Sequence, residues 1–202
     1  MVPAVILAAG ASSRMGSPKA LLPVPGGGFF AWRIIRAFHQ AGIDDVTIVT
    51  GEHHDAIAAA LANVFEQERL GPQPRVVRNP DPSRGQLSSL WTGMDAALGP
   101  DSEALLVTLV DVPLIDPATV AAVVDTWRAG RAPIVRPARG ERHGHPVLFD
   151  AALFGPLRAA PLDAGAKTVV RAYAGRIVNV PVNDDGCLVD IDTPDDYRSL
   201  RV

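Results

Sequence analysis

One run of residues limits the fold more than any other: Ala104–Val110, ALLVTLV, which carries no charge and is closed at once by Asp111. Successive side chains of a strand point to opposite faces, so a strand that is apolar at consecutive positions has no face for water. It belongs inside a sheet covered on both sides, which is what the crossover helices of βαβ units provide. The remaining chain supplies that alternation. Val2–Leu7, Asp45–Thr50, Arg75–Val77, Pro133–Arg136, Pro146–Phe149 and Ile177–Val182 read as further strands or extended segments. Between them, Phe29–Ala41, His54–Phe65, Leu87–Leu98, Pro117–Arg128, Ala151–Leu157 and Ala164–Tyr173 read as helices, and Thr193 opens a terminal one. In the first helix Phe30, Ile34, Ala37 and Phe38 share a face, and Gly42 ends it. Gly140–His145 reads as a loop. The expectation is an α/β fold, three layers of α/β/α with a mainly parallel, mixed sheet, as a single domain over residues 1–202.

The chemistry concentrates where the first strand ends. Leu7 to Leu22 reads LAAGASSRMGSPKALL. Gly10 and Gly16 permit close backbone approach, Ser12 and Ser13 offer hydroxyls, and Arg14 and Lys19 place two cations. Free backbone N–H groups beside cations suit a polyphosphate. The loop is not a P-loop, because five residues separate the glycines and Ser17-Pro18 follow. The dinucleotide fingerprint GxGxxG is also absent.

Asp111 sits where a buried strand emerges, and open α/β sheets bind ligands at the carboxyl ends of their strands. A triphosphate reacts as its magnesium complex, and Mg²⁺ takes one or two protein carboxylates plus phosphate and water oxygens. Asp190 and Asp192 alternate about Ile191, so an extended segment points both to one side. Asp195 and Asp196 suit the first turn of a helix. Two separated histidine pairs, His53-His54 and His143 with His145, make a poor zinc site without a cysteine cluster.

The net charge of −3 gives no reason to expect nucleic acid or an anionic membrane as partner. Cys187 is alone, which forbids an intrachain disulfide and suits a reducing compartment. No stretch approaches the roughly 18 apolar residues of a membrane span, and no basic lead with a cleavage site opens the chain. The expected address is the cytoplasm.

Leu7–Leu22 resembles the signature LAAGxSxRMGxPKxLL of nucleotidyltransferases with a glycosyltransferase-A-like Rossmann fold, and most of all their molybdenum cofactor cytidylyltransferase group. The resemblance implies a Rossmann-like nucleotidyltransferase domain. In it Leu7, Ala8, Ala9 and Gly10 bind the nucleotide, while Arg14 and Lys19 hold the triphosphate and are the catalytic pair. Val110–Ile115 fits the Asp-x-Pro-Leu pattern that makes Asp111 a Mg²⁺ ligand. Asp-Ile-Asp-Thr-Pro at 190–194 makes Asp192 the favoured second ligand and Asp190 the next. Gly85-Gln86-Leu87-Ser88-Ser89-Leu90 resembles the segment G-x-S-S-S-L, which implies that Gly85, Ser88 and Ser89 lie near base and ribose. Gln86-Leu87 departs from the usual small residues and leaves the base open. On the acceptor side, His145 falls in a G-H-P-V-L-F segment. Asp163 and Lys167 fall in one similar to G-D-x-G-A-R, with Leu162 for the usual Gly and Lys for Arg. The implied activity is transfer of CMP from CTP to a molybdopterin-type molybdenum cofactor, with pyrophosphate released and a molybdenum hydroxylase as client. The alternatives are a sugar or alditol phosphate as acceptor, or a non-catalytic cofactor-binding chaperone. A hydride-transfer activity known in some relatives lacks its fingerprint here.

Overall fold

The uncharged run forms β4 (Ala104–Leu109), and it lies inside an eight-stranded sheet as its composition requires. The structure is a computed structural model that describes residues 1–10, 17–68 and 71–200. β4 pairs in parallel with β1 (Ala4–Ala8), β1 with β2 (Val46–Thr50), and β2 with β3 (Arg75–Arg78). On its other side β4 pairs with β7 (Val147–Asp150), which runs antiparallel to it and to β5 (Ile134–Arg139). β5 in turn carries the antiparallel β6 (Arg142–His143) and the parallel β8 (Ile177–Pro181). The order β3-β2-β1-β4-β7-β5-β6, with β8 on β5, makes the sheet mixed and mainly parallel.

Alternation along each strand divides the core in two. Ala4, Ile6 and Ala8 of β1 join one buried cluster, and Val5 and Leu7 join the other. On the first side lie α1 (Phe30–Gln40), α2 (His54–Glu68) and α4 (Pro117–Gly130). On the second lie α3 (Gln86–Ala97), α5 (Phe154–Ala159) and α6 (Lys167–Ala172). Helix α1 shows which force sets the architecture. Phe29, at its N-cap, gives no side-chain hydrogen bond, a loss of about 1 kcal/mol against a good cap. Phe30, Ile34, Ile35 and Phe38 are fully buried, and each such side chain contributes about 1.5–3 kcal/mol. Packing therefore outweighs the missing cap. Elsewhere caps are in place. Asp116 accepts from the Ala118 N–H at 2.8 Å before α4. Thr193 and Asp196 form a capping box on α7 (Pro194–Ser199).

The differences from the sequence reading are local. β6 lies inside Gly140–His145, read as a loop: a two-residue strand has no room to show a period. The helix expected over Ala164–Tyr173 begins at Lys167, because the Ala164 and Gly165 N–H groups bond back to the Pro161 carbonyl in a turn. Ala151–Leu157 divides into a 3-10 turn and α5.

Helix α3 lies close to β1 and β2 because Gly93 has no side chain. A Cβ there would stand 2.5 Å from Val5 Cγ1 and 3.0 Å from Val49 Cγ2. Gly93→Ala is expected to destabilise the protein by about 1–3 kcal/mol through overpacking, read as a lower denaturant midpoint at unchanged slope. An unchanged midpoint contradicts this packing.

Candidate functional site

Two carboxylates and one ammonium meet beyond the carboxyl end of β4, and a third carboxylate, Asp190, acts on Asp111 through space. Lys19 opens a short 3-10 turn, Lys19–Leu21, anchored by buried Ala20 and Leu22. Its Nζ lies 2.6 Å from Asp192 Oδ1 and 3.7 Å from Asp111 Oδ2. The Asp190–Asp192 segment is held against the end of β4 by the Ile191 N–H, which donates to the Asp111 carbonyl at 2.8 Å. Ile191 is buried between the two aspartates. Tyr197 of α7 donates to the Pro23 carbonyl at 2.8 Å, so the chain's last helix also fastens the segment that follows Lys19.

Burial raises the proton affinity of Asp111 most, Lys19 lowers it, and the charges of Asp190 and Asp192 raise it further. Its Oδ1 is buried without a hydrogen-bond partner among the described residues. A desolvated carboxylate oxygen with nothing to accept from is an expensive arrangement unless a cation meets it. The donor set is all oxygen and negative, which suits a hard divalent cation whose remaining ligands are phosphate and water. Asp111 and the nearby aspartates therefore fit a hard divalent cation, although no group of three or more protein ligands closes around one point among the described residues.

A cavity of about 730 Å³ opens beside this centre, on the α3 and α6 side of the sheet. Leu7 and Leu109 form its edge at the strand ends, Gly85, Gln86 and Leu87 one wall, and residues 162–167 another. His145, Asp163 and Lys167, expected on the acceptor side, line this one cavity, as does Asp190. Asp190 and Asp192 share their electrostatic effect on Asp111 but differ in address: Asp192 holds Lys19, whereas Asp190 faces the cavity. His145 has a lowered pKa, chiefly through burial, with the Val107 backbone and Asp190 acting the other way. Its strand-end segment is tied down where the His145 N–H donates to the Cys187 carbonyl at 2.8 Å. A Cβ on Gly144 would collide with that same carbonyl, so only glycine lets the two segments touch.

The serines expected beside the nucleotide have a protein partner. Ser88 and Ser89 are buried, and both hydroxyls accept from Asn79 Nδ2 at 2.9 Å. They fasten the Asn79–Asp81 turn to α3 and do not line the cavity; Gly85 does. Their place one helical position apart gave no sign of this, since Asn79 is nine residues away in sequence. Arg14, with Ser12, Ser13 and Gly16, lies outside the described residues. One charged residue of the cavity was missed. Arg136 of β5 lines it, and the available signal was a charge between apolar residues in the middle of the strand, IVRPAR.

Residues 4–177 match the MobA-like NTP transferase domain. The chain belongs to this family. Nicotine blue oxidoreductase of Paenarthrobacter nicotinovorans is 34% identical over 208 residues, covering 98% of this chain and 96% of that protein. Molybdenum cofactor cytidylyltransferase of Escherichia coli (strain K12) is 25% identical over 98% of this chain and 94% of its own. Among solved structures, Rv0371c from Mycobacterium tuberculosis H37Rv superposes with a TM-score of 0.80 at 29% identity, over 99% of this chain and 97% of that one. A manganese complex of Rv0371c gives a TM-score of 0.73. A molybdopterin-guanine dinucleotide biosynthesis protein A from Archaeoglobus fulgidus, at 16% identity and a TM-score of 0.67, shares the fold. This NTP transferase has no helix, among the described residues, long and apolar enough to cross a membrane.

The raised pKa of Asp111 has a stability consequence with a definite sign. At a pH below its unfolded value the group is protonated in both states and contributes nothing. As pH climbs through the higher folded value, the fold must carry a desolvated charge and loses stability. Asp111→Asn is therefore expected to raise the thermal midpoint at neutral pH and not in acid, while Mn²⁺ or Mg²⁺ raises the midpoint of wild type only. A midpoint that falls at neutral pH on Asp111→Asn sinks this account.

Proposed function

We propose that this NTP transferase is a Mg²⁺-dependent nucleotidylyltransferase that moves CMP from CTP to a molybdopterin-type molybdenum cofactor and releases pyrophosphate. The observation that carries the proposal is Lys19 held between Asp111 and Asp192, coupled through Asp190 to a cavity that gathers His145, Asp163, Lys167 and Asp190. The E. coli relative named as a molybdenum cofactor cytidylyltransferase supports the acceptor. The domain would span residues 1–202 and serve a molybdenum hydroxylase in the cytoplasm, with neither nucleic acid nor membrane as partner.

In this reading an acceptor phosphate oxygen attacks the α-phosphorus of CTP. The new P–O bond forms as the bond to the bridging α,β-oxygen breaks, and pyrophosphate departs with that electron pair. An ionised phosphate needs no general base, and none is assigned. Backbone groups of Leu7, Ala8, Ala9, Gly10 and Gly85 face the nucleotide, and Ser88 and Ser89 support that wall through Asn79. Lys19 with Arg14 neutralises charge on the transferring and departing phosphates, a role worth most in a site shielded from water. Asp111, with Asp192 and then Asp190, would hold Mg²⁺, which supplies further charge neutralisation on the phosphates. The acceptor is oriented by His145, Asp163 and Lys167 in line with the leaving group.

A hydride-transfer reading takes its support from the 34% identical relative named as an oxidoreductase, and lacks the GxGxxG fingerprint. The test is pyrophosphate release with Mg²⁺, each nucleoside triphosphate and either molybdopterin-bound molybdenum or a sugar or alditol phosphate. A parallel arm follows NADH and NADPH oxidation with a quinonoid dye. CTP- and molybdopterin-dependent release is the expected result; dye-dependent oxidation without release overturns it. Lys19→Ala and Asp111→Ala are each expected to lower kcat by roughly 10²–10³. Near-wild-type turnover in either removes that residue from the mechanism.

A further inference from the structure

Arg136 belongs to the cavity but has no part in the phosphate chemistry just described. It occupies β5 amid buried Ile134, Val135, Pro137 and Ala138, on the same face of the strand as Ile134. Its register partner on β8 is Asn179, whose Oδ1 accepts from Arg136 Nε at 2.9 Å. No ion pair among the described residues includes Arg136. Burial draws its pKa down from the ordinary arginine value, yet a guanidinium stays charged. With Nε engaged by Asn179, the terminal NH₂ groups are left to fork around a planar anion.

Distance separates this cation from the reacting phosphate. Arg136 is two strands from β4, across β7, and neighbouring strands lie about 4.8 Å apart, so about 10 Å divides them. Along the strands the register sets Val135 level with Leu148 and Leu148 with Leu106, so Arg136 also lies about four residues, roughly 13 Å, short of Asp111, and one phosphate group does not touch both. The cavity that Arg136 lines also has apolar walls from Leu90, Val107, Val147 and Phe149, with Asp163 and Asp190 as hydrogen-bond acceptors. A ligand that fills this space buries an apolar or aromatic body, donates N–H groups to the carboxylates and brings an anion to Arg136.

We propose that Arg136 is a specificity-determining residue that forks around an anionic group of the acceptor other than the phosphate that reacts. The word acceptor rests on the nucleotidyl-transfer reading; the anion site does not.

The probe is pterin-6-carboxylate, with unsubstituted pterin as its neutral counterpart, and binding is followed by pterin fluorescence. Arg136→Met is expected to weaken the carboxylate at least tenfold and to leave neutral pterin within twofold. Arg136→Lys, a point charge without the fork, is expected to recover only part of the loss, and Asn179→Ala to fall between Lys and wild type. Thermal midpoints report whether each variant folds. If Arg136→Met does not fold, Arg136→Lys and Asn179→Ala carry the comparison. Equal carboxylate affinity in wild type and the folded variants overturns the proposal, as does failure of wild type to bind the carboxylate more tightly than pterin. Absent CTP-dependent pyrophosphate release with the discrimination intact removes nucleotidyl transfer and keeps the anion site. Release with no discrimination does the reverse.

Discussion

The site depends on one electrostatic arrangement: Lys19 set between Asp111 and Asp192, with Asp190 adding its charge from the cavity side. Positions 19, 111 and 192 are far apart in sequence, and the fold is what brings them to one edge of the sheet. Asp192 in the closer pair is mostly exposed, where an ion pair contributes only about 0–1 kcal/mol, and Asp111 is desolvated at a cost, so this cluster is a poor reason for the fold to exist. The reason lies below it, in strands buried on both faces that end together. Where such strands stop, backbone and side chains meet water along a single line, and polar chemistry collects there.

Much of this was legible from residues alone. The uncharged run before Asp111 called for a sheet with two covered faces, and β4 has them. Asp116 and Thr193 were readable as caps because capping is chemistry within one turn of helix. His145, Asp163 and Lys167, which stand in two separate segments of the sequence, line one cavity. The limits are equally physical. β7 runs antiparallel, and nothing in Pro146–Phe149 encodes a direction, because pairing sense is decided by partners far away. Ser88 and Ser89 suggested hydroxyls for a ligand, but Asn79 takes both, a nonlocal contact that no helical spacing reveals. Arg136 was visible as a residue and silent as a site, since its meaning comes from Asn179 on a strand more than forty residues later.

The two kinds of acidic residue near the centre show how place decides role. Asp196 spends its charge on Thr193, and the hydroxyl and backbone of Thr193 hold its pKa below the ordinary carboxylate value. Asp111 has the opposite shift, because burial dominates, and among the described residues one of its oxygens has no donor. The first stabilises a helix end; the second keeps unmet demand for positive charge. Natural proteins retain such costs where function needs them.

Asp190 belongs to both halves of the site, since it lines the cavity and acts on Asp111 through space. Its carboxylate therefore couples whatever occupies the cavity to the ionisation of the neighbouring centre. A ligand N–H or cation that neutralises Asp190 relieves repulsion on Asp111 and makes its proton easier to lose. By reciprocity, a cation settled at Asp111 and Asp192 changes the affinity of the cavity for that same ligand. Communication between the two halves needs no moving part: one shared charge is enough to make their occupancies interdependent.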